Sequence, residues 1–135
     1  DLSIVFCKTK NTTRRLADQL TKNGIDAQEM NGDMSQHKRE QTLEKFEKGN
    51  IKVIVATDVA ARGIDVDSVT HVFNYDVPDT ADTYTHRIGR AGRQGREGEA
   101  ITLLEPNDHQ TFRRIKKKIS IPRIDEKPEL IDAKV

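Results

Sequence analysis

Short apolar runs of strand length alternate with segments of helical period along this 135-residue chain, and that alternation leaves few folds open. Leu2–Cys7 is a compact apolar run. Thr12–Asn23 follows, with Leu16 and Leu20 at helical spacing, a polar start and Gly24 as a stop. Ala27–Asn31 predicts a weak strand. Ser35–Lys48 predicts a helix capped by Ser35, with Leu43 and Phe46 turned inward and Gly49 closing it. Val53–Ala56 is apolar on both faces, as a strand buried between helices must be. Val69–Tyr75 is the next strand, Asp79 or Thr80 caps a helix through about Ile88, and Ala100–Leu104 is the last strand. Asp108–Ile119 predicts a helix with Phe112, Ile115 and Ile119 on one side and Arg113, Arg114, Lys116, Lys117 and Lys118 around it. Strands apolar throughout, alternating with helices, predict an α/β fold: a parallel sheet with helices on both faces. Ligands of such sheets sit beyond the carboxyl ends of the strands. The polar clusters after Ala56 and after Tyr75 fall there.

The mass of 15.3 kDa suits one core and not two. Periodicity ends after Pro122, and Pro128 follows, so residues 1–120 are expected to form the domain and residues 121–135 a tail or linker. No apolar run approaches the roughly 20 residues of a membrane span, and Asp1 leads straight into an apolar run without the basic flank of a signal peptide. The start therefore reads as a domain boundary, and a cytoplasmic protein is expected, or a nuclear one in a eukaryote. Cys7, the only cysteine, excludes a disulfide framework and reads as a buried thiol. His37, His71, His86 and His109 show no metal-ligand spacing, so no metal site is expected from these residues. Asn11-Thr12-Thr13 fits a glycosylation acceptor, but without a secretory signal its better role is capping the helix that follows.

Net charge is only +1, yet its distribution is uneven. Ala56–Thr83 carries six acids against Arg62, whereas Tyr84–Lys118 carries nine bases against four acids. A solvated charged surface is the common reason for such asymmetry, and a phosphate-binding face is the other.

Two stretches carry chemistry. In Tyr84-Thr85-His86-Arg87-Ile88-Gly89-Arg90-Ala91-Gly92-Arg93, a continued helical turn would project Arg90 and Arg93 from one face. Planar guanidinium groups suit the equatorial oxygens of a transferring phosphoryl group. A lone arginine pair usually marks an exposed helix end. Here, however, two glycines in so short a helix would cost about 1 kcal/mol each relative to Ala, which calls for a reason. In Thr57-Asp58-Val59-Ala60-Ala61-Arg62-Gly63-Ile64-Asp65, Thr57 and Asp58 can cap a short turn after a buried strand, Gly63 permits an unusual backbone, and Asp65 can accept from a ribose hydroxyl. An ordinary capped turn would explain Asp58 alone. No G-x-x-x-x-G-K-[ST] phosphate loop is present, and no acidic pair after a strand obviously holds Mg²⁺. Gly89-Arg90-Ala91-Gly92 imitates the GXXG loop of a KH domain, but the surrounding strand order is wrong for one.

Taken together, these stretches resemble the second RecA-like domain of DEAD-box ATP-dependent RNA helicases, in helicase superfamily 2. Ile4-Val5-Phe6-Cys7-Lys8-Thr9 resembles the family's motif IV, Gln36-His37-Lys38-Arg39 its QxxR element, Thr57–Asp65 its motif V and Tyr84–Arg93 its motif VI. The resemblance covers roughly residues 2 to 119. It implies a three-layer α/β/α RecA-like domain with a mainly parallel sheet. It implies that Arg90 and Arg93 reach the γ-phosphate of ATP and that Gly63 and Asp65 reach its ribose. Gln36, Arg39, Thr57 and Asp58 would lie along the RNA backbone with Gly32 close to a phosphate, and His86 and Arg87 would couple the two sites. ATP and Mg²⁺ would be held mainly by an N-terminal RecA-like partner domain, and RNA would be bound with little sequence preference. Alone, the domain would be inactive. Asn31 stands where many relatives carry His, and Gln94 where some carry an aromatic residue near adenine. A DNA-directed superfamily 2 translocase would share the arginine-rich motif, and competition between RNA and DNA oligomers separates the two. A non-catalytic RNA-binding module would instead depend on Lys116-Lys117-Lys118 and not on Arg90.

Overall fold

A computed structural model of the chain describes residues 1–93 and 97–118. The expected tail, Ile119 and Gln94 lie outside the described residues. Five strands form one sheet in the order β2-β3-β1-β4-β5, and every pairing is parallel. They are β1 (Leu2–Cys7), β2 (Ala27–Met30), β3 (Val53–Thr57), β4 (Val69–Asn74) and β5 (Glu99–Thr102). The helices are α1 (Lys10–Lys22), α2 (Gln36–Glu47), α3 (Asp58–Ala61), α4 (Ala81–Ile88) and α5 (His109–Lys118), the last preceded by a 3-10 turn at Pro106–Asp108.

Sheet pleating sorts the central residues into two cores. Ile4 and Phe6 of β1, Ile54 and Ala56 of β3 and Val72 of β4 point to one face, where they meet Phe46 of α2 and Ala60 and Ala61 of α3. Val5, Cys7 and Val55 point to the other, against Ala17, Leu16 and Leu20 of α1. The split follows from chain direction. The chain steps from β1 out to β2, then reverses through β3 to β4 and β5. With right-handed crossovers, that reversal moves the connections from one face to the other. A smaller cluster, Val77, Tyr84, Phe112 and Ile115, joins α4 to α5. Burial there raises the pKa of the Tyr84 phenol against a smaller opposing effect from Thr102, so the ring stays neutral at physiological pH.

Local chemistry sets the helix ends. Ser35 accepts from the Lys38 amide (3.1 Å) and Thr80 from the Thr83 amide (3.1 Å), both capping as their residue types predict. The first helix departs from expectation. Its cap is Thr9, whose hydroxyl accepts from the Thr12 amide at 3.2 Å, so Asn11, Thr12 and Thr13 lie inside the helix and do not cap it. Thr13 is fully buried and donates back to the Lys10 carbonyl (2.6 Å). The last strand is shorter than its apolar run: it ends at Thr102, the Leu103 amide keeps one bond to the Asn74 carbonyl (3.1 Å), and the Leu103 and Leu104 side chains pack against α1's and α4's clusters.

Phe46 has no solvent exposure and lies between β-strand side chains and α2. Phe46→Ala is expected to cost about 3–5 kcal/mol by cavity formation, read as a lower urea midpoint at unchanged slope. A loss under about 1 kcal/mol would contradict this packing.

Candidate functional site

The polar residues of the site run along the helix-rich face on which α2, α3 and α4 pack, from the carboxyl ends of β3 and β4 down the connection that leads back to β4. Thr57 ends β3 and caps α3, its hydroxyl accepting from the Ala60 amide at 3.4 Å. That cap places Asp58 in the first turn, where it meets Arg87 projecting from the last turn of α4. Both carboxylate oxygens are used: Arg87 Nε to Asp58 Oδ1 is 2.7 Å and Arg87 Nη2 to Asp58 Oδ2 is 2.8 Å. The third guanidinium nitrogen donates to the Asp76 carbonyl (2.6 Å) and to Asn74 Oδ1 (3.3 Å). The guanidinium carbon stands 5.3 Å from the centre of the Phe6 ring. Arginine is almost never fully buried unless paired, and this side chain is 1 % exposed. Asn74 passes the network on to Thr102 of β5 (3.1 Å). Arg87 therefore ties the ends of β1, β3 and β4 to α4.

The other two arginines stand differently. The helical turn expected for Arg90 and Arg93 does not form: α4 stops at Ile88 with Gly89 as its C-cap, and the chain leaves through short turns in which Arg90 and Ala91 amides donate to the Arg87 and Ile88 carbonyls. Gly92 takes φ +66°, a conformation that ends a helix and that side chains disfavour. Neither glycine is inside a helix, so the cost reckoned for helical glycines does not apply. Their purpose is to turn the chain. Its path brings Gly92 N–H to the Val69 carbonyl at the first residue of β4 (3.2 Å), far from the strand's carboxyl end. Arg90 and Arg93 thus flank the β3–β4 connection instead of capping the sheet.

Each is lightly held. Arg90 donates to the Ile64 carbonyl (2.8 Å). Arg93 pairs with Asp65 (2.7 Å) and approaches Asp67 (3.9 Å), with side chains 32 % and 78 % exposed for Arg93 and Asp65. An ion pair that open contributes about 0–1 kcal/mol and is readily exchanged for another anion. Gly63, between these contacts, takes φ +78°, and a Cβ there would meet nothing within 4 Å. His86 is exposed on α4.

Of the residues expected along the RNA, Thr57 and Asp58 stand at the β3–α3 junction, and Gly32, Gln36 and Arg39 lie at the β2 side. Gly32 is exposed, and a Cβ on it would meet no atom within 4 Å, so nothing in the domain itself fills the space beside it. The loop is fixed by its neighbour. Asn31 is buried, donates to Glu29 (2.7 Å) and Thr13 (3.2 Å), and accepts from the Asp33 amide (3.0 Å). Its place is structural, a role that its departure from the family pattern did not disclose. Asp33 bonds Lys10 (3.2 Å) and Arg14, which hold its carboxyl below the usual carboxylate range. Any stability from that pair is present above the ordinary carboxylate pKa and fades as pH falls through the lowered one. Gln36 is exposed and bonds Glu40 (3.2 Å), and Arg39 donates to the Arg62 carbonyl, joining α2 to the same connection that Arg90 and Arg93 grip. Among the described residues, no group of three or more His, Cys, Asp or Glu side chains could hold a metal ion, and no helix is long and apolar enough to cross a membrane.

A fully parallel sheet flanked by helices, with arginines gathered on the connection between β3 and β4, is a RecA-like α/β domain. The family pattern of the helicase conserved C-terminal domain matches residues 1–95. Over 127 residues and 93 % of its length the chain is 46 % identical to the ATP-dependent RNA helicase DeaD of Escherichia coli, covering 20 % of that protein. It is 48 % identical to the RNA helicase CrhR of Synechocystis over 87 % of this chain and 24 % of that one. The chain thus spans about a fifth of the length of these curated relatives. Among solved structures, the Escherichia coli DEAD-box protein SrmB bound to regulator of ribonuclease activity A superposes with TM-score 0.86 at 43 % identity, over 96 % of this chain and 76 % of that one. Saccharomyces cerevisiae Dbp5 bound to RNA and ADP BeF3 superposes with TM-score 0.78 at 38 % identity, over 86 % and 32 %. The chain belongs to the helicase conserved C-terminal domain family and has the RecA-like fold of the C-terminal domain of DEAD-box proteins.

Removing Asp58 leaves the Arg87 charge buried with only neutral acceptors. Asp58→Ala is expected to lower folding stability by about 3 kcal/mol, near the bottom of the 3–5 kcal/mol range for broken buried pairs because the carboxylate is 38 % exposed. Denaturant unfolding of the variant measures it, and a change below about 1 kcal/mol would refute the strut role of this pair.

Proposed function

We propose that this domain is the second half of an ATP-dependent RNA helicase, supplying Arg90 and Arg93 to ATP and Mg²⁺ held mainly by an N-terminal RecA-like domain of the same protein. ATP hydrolysis in the whole protein would drive local unwinding of RNA, and this domain alone would be inactive. The observation that carries the reading is the contrast among the three motif VI arginines. Arg87 is locked on four oxygens, whereas Arg93 has one short bond, to an exposed carboxylate that a phosphate can replace, and a looser approach to Asp67. A guanidinium that must swing onto a developing phosphoryl charge has to be cheap to release. Releasing Arg93 also frees Asp65, an acceptor suited to a ribose hydroxyl. Gly63 keeps that position open to a nucleotide.

RNA would run past Gly32, Gln36, Arg39, Thr57 and Asp58, its phosphates approaching the unobstructed Gly32 backbone. The solved relative that carries both RNA and ADP BeF3 supports two ligands on one such frame. Arg87, bonded to Asp58 on one side and followed directly by the Arg90 turn, would couple RNA to nucleotide, with exposed His86 beside it. Contacts to sugar and phosphate carry no base identity, so the grip would be largely indifferent to sequence. Closure of the two halves around ATP and RNA would bend the strand and destabilise a short duplex, and hydrolysis would reopen them.

In the full-length protein, Arg90→Ala and Arg93→Ala are each expected to lower kcat of RNA-stimulated ATP hydrolysis by about 10³–10⁵, the range for lost arginine fingers, with little change in single-stranded RNA affinity. Unchanged kcat in both variants would sink the assignment. Equal stimulation by DNA and RNA oligomers of one sequence would favour a DNA-directed translocase instead.

A further inference from the structure

The turn that carries Arg93 is held at three points, and only two are polar. Arg90 grips the Ile64 carbonyl, and Gly92 N–H bonds the Val69 carbonyl. The third is a backbone-to-backbone contact. A Cβ on Gly98 would stand 2.5 Å from Gly92 N, 2.8 Å from Gly92 Cα and 3.0 Å from the Ala91 carbonyl carbon. All three are main-chain atoms, with no flexible side chain to move aside. Gly98 itself does not take a positive φ, so its local conformation does not ask for glycine. Only the contact does.

From this we infer that Gly98 is a positioning residue for ATP hydrolysis: by abutting Gly92 just before β5 begins, it sets where Arg93 stands. The inference rests on the finger reading of Arg93. Gly92 already occupies a left-handed conformation and is bonded to β4, so it has little freedom to yield. A methyl group at residue 98 would push the Gly92 backbone, and Arg93 is the next residue along. The displacement would be transmitted to the guanidinium but not to the RNA side. Gly32, Gln36 and Arg39 lie by β2 and α2, and Thr57 and Asp58 end β3 and open α3, whereas β5 is the opposite edge of the sheet. A misplacement of about 1 Å remote from the chemistry can cost about 10²-fold in rate.

The test uses the full-length protein. Gly98→Ala is expected to lower kcat of RNA-stimulated ATP hydrolysis by about 10²-fold while leaving the KM for RNA within about twofold. In an Arg93→Ala background the same change should cost less than about threefold, because the guanidinium that Gly98 positions is gone while Arg90 keeps its own hold on the Ile64 carbonyl. A purely structural role would instead lower kcat in both backgrounds alike. Should Gly98→Ala unfold at the assay temperature, as thermal unfolding would reveal, the comparison is made below its unfolding midpoint, with Gly98→Ser as a second variant that places a Cβ at the same point. The same selective loss of kcat is then expected. Retention of kcat by folded Gly98→Ala or Gly98→Ser, in protein where Arg93→Ala lowers it, overturns the positioning role and leaves the finger intact. Retention of kcat by Arg93→Ala itself overturns the finger reading.

Discussion

The bidentate pair between Arg87 and Asp58 is the interaction on which the site's geometry depends. A guanidinium taken out of water costs several kcal/mol unless its donors are satisfied, so the fold must bring acceptors to it from separate elements. It does: a carboxylate from the first turn of α3, a carbonyl after β4, an amide oxygen on β4 and the Phe6 ring on β1. These groups come together only when the parallel sheet is assembled in register. Burying the charge therefore ties the mutual placement of β1, β3, β4 and α4 to the folding of the domain itself.

Around that fixed point, the two remaining arginines are left movable. One bond to a carbonyl and exposed ion pairs to Asp65 and, more distantly, Asp67 contribute little to stability. The buried arginine and the two lightly held ones lie within seven residues of each other, separated by a glycine cap and a left-handed glycine that stop the helix and turn the chain.

Much of the fold was legible in the sequence because periodicity and caps are local. β1 matches its apolar run residue for residue, and the caps at Ser35 and Thr80 follow from residue type. The first helix began earlier than its pattern, since Thr9, one turn upstream, outcompeted Asn11–Thr13 as the cap. β5 stops short of its apolar run: Leu103 keeps only one amide bond to β4, and the Leu103 and Leu104 side chains pack with the helix clusters. The arginine segment was misread as helical because i, i+3 spacing says nothing about where a helix stops, and Gly89 can sit inside a helix or end one. Arg87's burial was invisible for another reason. It requires acceptors from residues 11 to 29 positions away, and no local pattern announces them. Gly98 carried no signal either, because its reason is a contact with Gly92 that exists only once the turn has closed.

The division between strut and fingers is tested most directly by the crystal structure of the full-length protein with single-stranded RNA and ADP–BeF3. Arg90 and Arg93 should leave Ile64 and Asp65 and stand about 3 Å from the beryllium fluoride, while both Arg87–Asp58 bonds persist. Arg93 still paired with Asp65, or Arg87 released from Asp58, would contradict it.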